Sequence, residues 1–263
     1  MEEFSEDTIK AGLGTQIIGQ KIYIYNKTSS TSDVALSLAE RHNTEGVVIL
    51  AEGQTKGRGR LGRVWFSLPQ KCILCSIILK SNMLSERLNL LTIGASVAIC
   101  KAIRETTFLP AYIKWPNDVV IRGKKVCGIL IEKRRTKTGF IVIGFGINVN
   151  LDEDDFPSDL CGKATSLKME CAKKVSRVKL IQKVLFEIEK VSLYLKKGEG
   201  SLLFEEWKEM SSILGKQVRA ILQNEVVEGQ AVGIDPDGAL ILRLDSGISR
   251  RITEGTIEYV ICR

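Results

Sequence analysis

Four β-rich segments lie almost end to end in the middle of this chain: AYIKW, DVVIRG, KVCGILIEKRR and FIVIGFGINVN, all within residues 111–150. Pro116-Asn117 separates the first two, a turn at Gly123-Lys124 the next two, and a turn at 137–139 the last. Parallel neighbours need a crossover of a dozen or more residues, whereas antiparallel ones can be joined by two. The segments are therefore predicted as hairpin-connected strands in a mixed or antiparallel sheet, with helices packed on it, an α+β arrangement.

The flanking chain supplies the rest. QIIGQKIYIYN (16–26) alternates and predicts a strand; SSTSDVALSLAERHN predicts a capped helix ending before Gly46. GVVILAEG and KCILCSIILK predict buried strands, and 85–106 a long amphipathic helix. After a helix-rich stretch at 176–212, short strands recur between turn signals such as Asp235-Pro236-Asp237-Gly238. This predicts a small SH3-like β-barrel, dividing the chain into domains 1–212 and 213–263.

Several function classes are excluded early. No apolar run is long enough to span a bilayer, and the acidic start MEEFSED is unlike a secretory signal, so a cytoplasmic protein without a membrane partner is expected. Cys72 and Cys75 form C-x-x-C on a predicted strand, where residues three apart face opposite ways, and no second pair completes a zinc site. The count of seven cysteines argues against a disulfide framework in such a chain. His42, the only histidine, sits in a polar helix-end context and is expected at the surface. Ser-His or Cys-His catalysis is thereby set aside. A formal charge of +7, concentrated at 56–63, 124–125 and 133–137, predicts an anionic partner.

The first cluster is GQTKGRGRLGRVW, in which Gly57, Gly59 and Gly62 spell G-x-G-x-x-G. A dinucleotide site also needs a following helix and a carboxylate about 20 residues on. VWFSLPQ opens no helix, and Leu79-Lys80-Ser81 offers no carboxylate. A P-loop fails too, because Arg63-Val64 stands where Lys-Ser/Thr should. Glycines instead let the backbone approach a ligand, while Arg58, Arg60 and Arg63 present planar forks to carboxylate or phosphate. In KWPNDVVIRGKKVCGILIE, Pro116 holds Trp115 extended and sets Lys114 beside Asn117 and Asp118. On these residues alone, a hairpin turn with a surface salt bridge and a binding site are equally good readings.

GQTKGRGRLGRVWFS, KWPNDV, KKVCGILIE and GFGINVN, in this order and spacing, resemble the catalytic core of the biotin protein ligases. SSTSD resembles that family's D-S-T-N segment, with Ser29 for the Asp and Ser32 for the Asn. The resemblance runs from about Gln16 to the C-terminus and includes the barrel. It implies a fold like that of class II aminoacyl-tRNA synthetases and biotin ligases. It also implies a two-step reaction, in which biotin and ATP give biotinyl-5′-AMP and biotin then passes to a lysine of a biotin carboxyl carrier protein. About 15 residues precede Gln16, so the monofunctional type is expected, without a winged helix or operator DNA, and as a possible homodimer.

The resemblance also implies roles. Ser30, Thr31, Ser32 and Gln54 would meet biotin's polar groups; Arg58, Gly59 and Arg60 belong to a loop closing over biotin and the adenylate. Lys114 would contact the carboxylate, Lys125 the α-phosphate, and Asp118 a magnesium ion held with the phosphates. Gly128 and Leu130 would line the biotin ring pocket, and Asn148 would read adenine. Arg58, Lys114 and Lys125 carry the catalytic expectation. A lipoate–protein ligase would need an R-R-x-S-G-G-G stretch with a nearby His, which is missing. A nucleic-acid-binding protein would need a helix-turn-helix or stacking aromatics, and neither pattern is visible.

Overall fold

The computed structural model describes residues 3–40, 44–80, 88–133 and 139–260. His42, the start of the helix predicted at 85–106 and most of the basic stretch 133–137 lie outside them. The predicted hairpins are present. Strands β4 (Ala111–Lys114), β5 (Asp118–Ile121), β6 (Lys124–Lys133) and β7 (Phe140–Asn148) pair antiparallel in sequence order. Strand β7 continues onto β3 (Cys72–Lys80), then β2 (Val48–Ala51) and β1 (Ile22–Tyr25), giving the seven-stranded order β1-β2-β3-β7-β6-β5-β4. Only β1 and β2 are parallel, and the helix α2 (Thr31–Ala39) between them supplies the crossover that parallel pairing needs.

One face of the sheet packs on α3 (Leu88–Thr107) and α5 (Arg177–Lys197), and Ile73, Cys75, Ile77 and Leu79 of β3 point into that core. Cys72 belongs to a separate cluster with Leu74 and Phe156, so the C-x-x-C residues do face opposite ways, both as free thiols. Burial pushes the Cys72 thiol up to about 11. The opposite face is covered by α2 at one end and left open in the middle, where the clefts lie.

Two departures from expectation have physical causes. The strand predicted at 16–26 is ordered only as β1; residues 16–18 instead give their N–H groups to the Glu189 carboxylate of α5 at 2.7, 2.8 and 2.7 Å. Backbone donors satisfied by a side chain need no ladder partner. The sequence reading also passed over two short helices, α1 (Glu6–Ala11) and α4 (Leu167–Cys171), capped by Ser5 and Ser166. Both are too short for apolar periodicity to register.

After α6 (Ser201–Met210), strands β8 (Gln217–Ile221), β9 (Val226–Ile234), β10 (Leu240–Arg243), β11 (Ser249–Ile252) and β12 (Thr256–Tyr259) form the SH3-like barrel, antiparallel in the order β11-β10-β9-β8-β12. Ser212 N donates to Ile113 O on edge strand β4 at 2.8 Å, and the buried Trp115 donates its indole N–H to Gly238 O at 3.0 Å. No helix among the described residues is long and apolar enough to cross a membrane.

Candidate active site

Strand pairing lays one row of residues across the open face: Lys114 opposite Asp118, Asp118 opposite Gly128, Gly128 opposite Gly146, and Gly146 opposite Leu74. Two charged side chains thus stand beside a stretch of bare backbone. The next row runs Leu130, Gly144, Ser76. Glycine in a strand interior marks a place where something must come close. Here it is Trp65: a Cβ on Gly146 would lie 2.4 Å from the indole, and one on Gly128 2.8 Å. The Trp65 N–H is buried and finds no partner among the described residues.

Lys125 reaches this face through a bulge. The β5–β6 register shifts between Val119 and Val120, so that Val126 and Cys127 both turn into the helix-side core. The extra residue reverses the alternation and puts Lys125 on the face of Gly128 and Leu130 rather than opposite it. Its ammonium lies 2.7 Å from Asp118 Oδ1 and 5.5 Å from the centroid of the Trp65 ring.

The Gly-Arg segment forms a pinched loop over these rows. Thr28 and Ser29 accept from Thr55 and Lys56, which lays SSTSD alongside the loop's first stem. Gln54 Oε1 then accepts from Thr31 N at 2.7 Å and Thr31 Oγ1 at 3.1 Å; Ser76 donates to Thr31 at 2.8 Å and lies 3.1 Å from Ser32 Oγ. Further along, Gly57 O accepts from Trp65 N, and a Cβ at Gly57 would strike Trp65 O at 2.8 Å. Gly62 has φ +74°, a left-handed turn that favours glycine.

The three loop arginines have different surroundings. Arg58 bridges Asp33 at 2.5 Å and Glu132 at 2.9 Å. Burial works against its charge, but the two carboxylates outweigh that and raise it above the usual range. Arg60 sits 3.3 Å from Asn117 Oδ1 and is pulled down by burial, with Asp118 and Glu254 opposing. Arg63 donates to Thr256 of the barrel at 3.1 Å. Burial likewise lowers Lys114, against Asp118 and Glu258, and its ammonium lies 5.4 Å from the Tyr259 ring centroid.

Two clefts result. The smaller, about 50 Å³, is walled by Ser30, Ser32, Gln54 and Arg58 over Gly128 and Leu130. The larger, about 260 Å³, is bordered by Lys114, Asp118, Asn148 and the barrel residues Gly255, Thr256 and Ile257. Gly59, Arg60, Trp65, Asn117 and Lys125 line both, so two cations and an amide stand at the junction. Lys114 touches only the larger cleft, and Thr31 stands behind the wall, 3% exposed. Asn148, 4% exposed, donates to Thr165 O at 3.1 Å. Sequence reasoning assigned no role to Asn117, which it had placed beside Lys114, and missed Trp65, Ser76, Gly144 and Gly146. The available signals were a serine in an apolar strand and glycines two apart in GFGIN.

Comparison with known proteins gives this architecture its class and then its family. A profile described as the Biotin/lipoate A/B protein ligase family matches residues 24–148, which hold both rows and the loop. A second, the Biotin protein ligase C terminal domain, matches residues 213–259. The chain is 36% identical over 259 residues to the bifunctional ligase/repressor BirA of Bacillus subtilis (strain 168), covering 97% of this chain and 79% of that one. It is 30% identical to the biotin–[acetyl-CoA-carboxylase] ligase of Mycobacterium tuberculosis, covering 88% of each. The structure superposes on the Aquifex aeolicus biotin protein ligase in complex with biotin and ATP with a TM-score of 0.82 at 28% identity, over 92% of this chain and all of that one. The chain belongs to the biotin protein ligase family, the ligases that activate biotin with ATP and join it to protein.

Proposed function

We propose that the smaller cleft takes the biotin ring, the larger takes ATP, and the junction between them is where biotin's carboxylate attacks the α-phosphate. One observation carries this assignment: Arg60 and Lys125 both border the two clefts where they meet. Two anions must be brought together there, and fixed positive charge at the meeting point is what such a step requires. The carboxylate oxygen forms a bond to phosphorus as pyrophosphate leaves; an amine of the carrier then attacks the acyl carbon and AMP leaves.

In this reading Ser30, Ser32 and Gln54 bind the polar end of biotin. Thr31 and Ser76 orient Gln54, whose oxygen is already taken and whose NH₂ remains to donate. Gly128, Gly144, Gly146 and Leu130 form the floor, and the Trp65 indole must slide off its glycines for a bicyclic ring to enter. Lys114 holds the carboxylate and Lys125 the α-phosphate. Arg58 braces the loop through Asp33 and Glu132, and Asn148 borders the base.

No cluster of three or more metal-binding side chains exists among the described residues. Magnesium is commonly held by one or two carboxylates plus substrate phosphates, and Asp118 beside the larger cleft fits that single-carboxylate role. The ion would neutralise phosphate charge. We assign catalysis to residues 1–212, completion of the nucleotide cleft to residues 213–263, and the acceptor lysine to a biotin carboxyl carrier protein in the cytoplasm.

The test is exchange of labelled pyrophosphate into ATP. Exchange should depend on biotin, and Lys125→Ala should slow it about 10²–10³-fold while weakening biotin binding far less. Biotin-independent exchange would overturn the assignment; equal losses of rate and binding would remove Lys125 from the transition state.

A further inference from the structure

We propose that Glu52 and Arg177 form a clamp at the base of the Gly-Arg loop, which makes both of them positioning residues for keeping the adenylate in place. This rests on the ligase reading above. Neither residue lines either of the two clefts described above. Glu52 follows β2, and its carboxylate takes the Arg177 fork through two bonds, at 2.6 and 2.9 Å. The same carboxylate accepts from Gln70 N at 2.8 Å.

The loop leaves the sheet just after Glu52 and returns at Gln70, so one side chain ties both of its stems. Gln70 is held at φ 61°, a left-handed conformation that a non-glycine residue adopts only when its surroundings fix it. Arg177 also donates to Cys72 O at 3.2 Å, where β3 begins, and its guanidinium lies 4.3 Å from the Phe4 ring centroid. With side chains 12% and 18% exposed, the pair is shielded from solvent, unlike the surface pairs that contribute little. Two residues beyond Glu52, Gln54 enters the biotin wall, and at the far end Trp65 covers the glycine floor. Fixing the stems limits the arrangements from which the loop must close, so the clamp acts on closure and retention without touching a ligand.

The experiment uses the full chain and Glu52→Ala, Glu52→Gln, Arg177→Lys and Lys101→Ala. The last breaks a partly buried pair with Glu206 on the helical side, away from the loop. Release of labelled biotinyl-adenylate is measured well below each Tm, together with tryptic cleavage after Arg58, Arg60 and Arg63. Glu52→Ala should release the adenylate about tenfold faster and lose its loop to trypsin sooner. Glu52→Gln, which keeps an acceptor for Gln70, and Arg177→Lys, which keeps charge without the fork, should fall between. Lys101→Ala should lower Tm and leave both readouts unchanged. Release by Glu52→Ala within about twofold of the unsubstituted protein, or an equal effect in Lys101→Ala, would overturn the clamp. If Glu52→Ala does not fold, the two conservative variants decide by the same criteria. If the unsubstituted protein makes no adenylate, the ligase reading fails by itself; cleavage that does not accelerate then overturns the clamp separately.

Discussion

Lys114 carries a charge into a half-buried place, and that has a measurable consequence. Burial lowers its pKa below 10.5, with Lys125 adding to the fall and Asp118 and Glu258 opposing it. The unfolded chain therefore holds this proton more tightly than the folded one. Protonated Lys114 costs stability at neutral pH, and the penalty disappears as pH rises through its folded pKa towards 10.5. A carboxylate bound beside it favours the charged form and reverses the shift. Biotin binding should accordingly take up a proton at alkaline pH, seen as a binding heat that depends on the buffer's ionisation enthalpy. Lys114→Met should abolish the uptake; the same uptake in that variant would mean another group titrates.

Between elements, one joint held by a single side chain is the seat of residues 16–18 on α5. Glu189, 8% exposed, satisfies three backbone donors there, and only that of Ile18 is buried; an unsatisfied buried donor costs about 1–3 kcal/mol. Glu189→Ala should therefore lower unfolding free energy by about 1–3 kcal/mol, read from the urea midpoint. Glu6→Ala, which breaks the exposed Glu6–Lys10 pair, should change it by less than about 0.5 kcal/mol. Comparable losses would show that the carboxylate is not what seats this segment. A bulge also acts at this scale, because one inserted position in β6 decides that Lys125 faces the junction. Deleting Val126 should restore simple alternation and abolish adenylate formation, even if the chain still folds.

For the molecule as a whole, the barrel is part of the site. It covers Trp115, borders the larger cleft through Gly255, Thr256 and Ile257, and meets the loop at Arg63. Cutting after Ser212 strips an indole that is 2% exposed and removes a wall of the larger cleft, leaving the polar wall of the smaller one intact. The truncated chain, where it folds, should keep biotin binding and lose ATP-dependent transfer by about tenfold or more. Undiminished transfer would make the barrel a bystander.

What the sequence determined was whatever short-range geometry controls. Links of a few residues required antiparallel neighbours from β4 to β7, alternation separated Cys72 from Cys75, and turn signals marked the barrel strands. Glycines and arginines in GQTKGRGRLGRVW, with KWPND, marked chemistry that a resemblance could then name. Tertiary structure decided what depends on distant partners. Residues 16–18 read as strand because alternation cannot reveal that Glu189, far along the chain, will take their donors. Trp65 and Ser76 receive no role from the sequence because only strand register shows which side chains meet across the sheet. Lys125 reaches the open face through a shift in pairing that the spacing of KKVCG does not encode. Contacts within a few residues are set by local sterics, whereas register and coverage are set by which faces the whole fold buries.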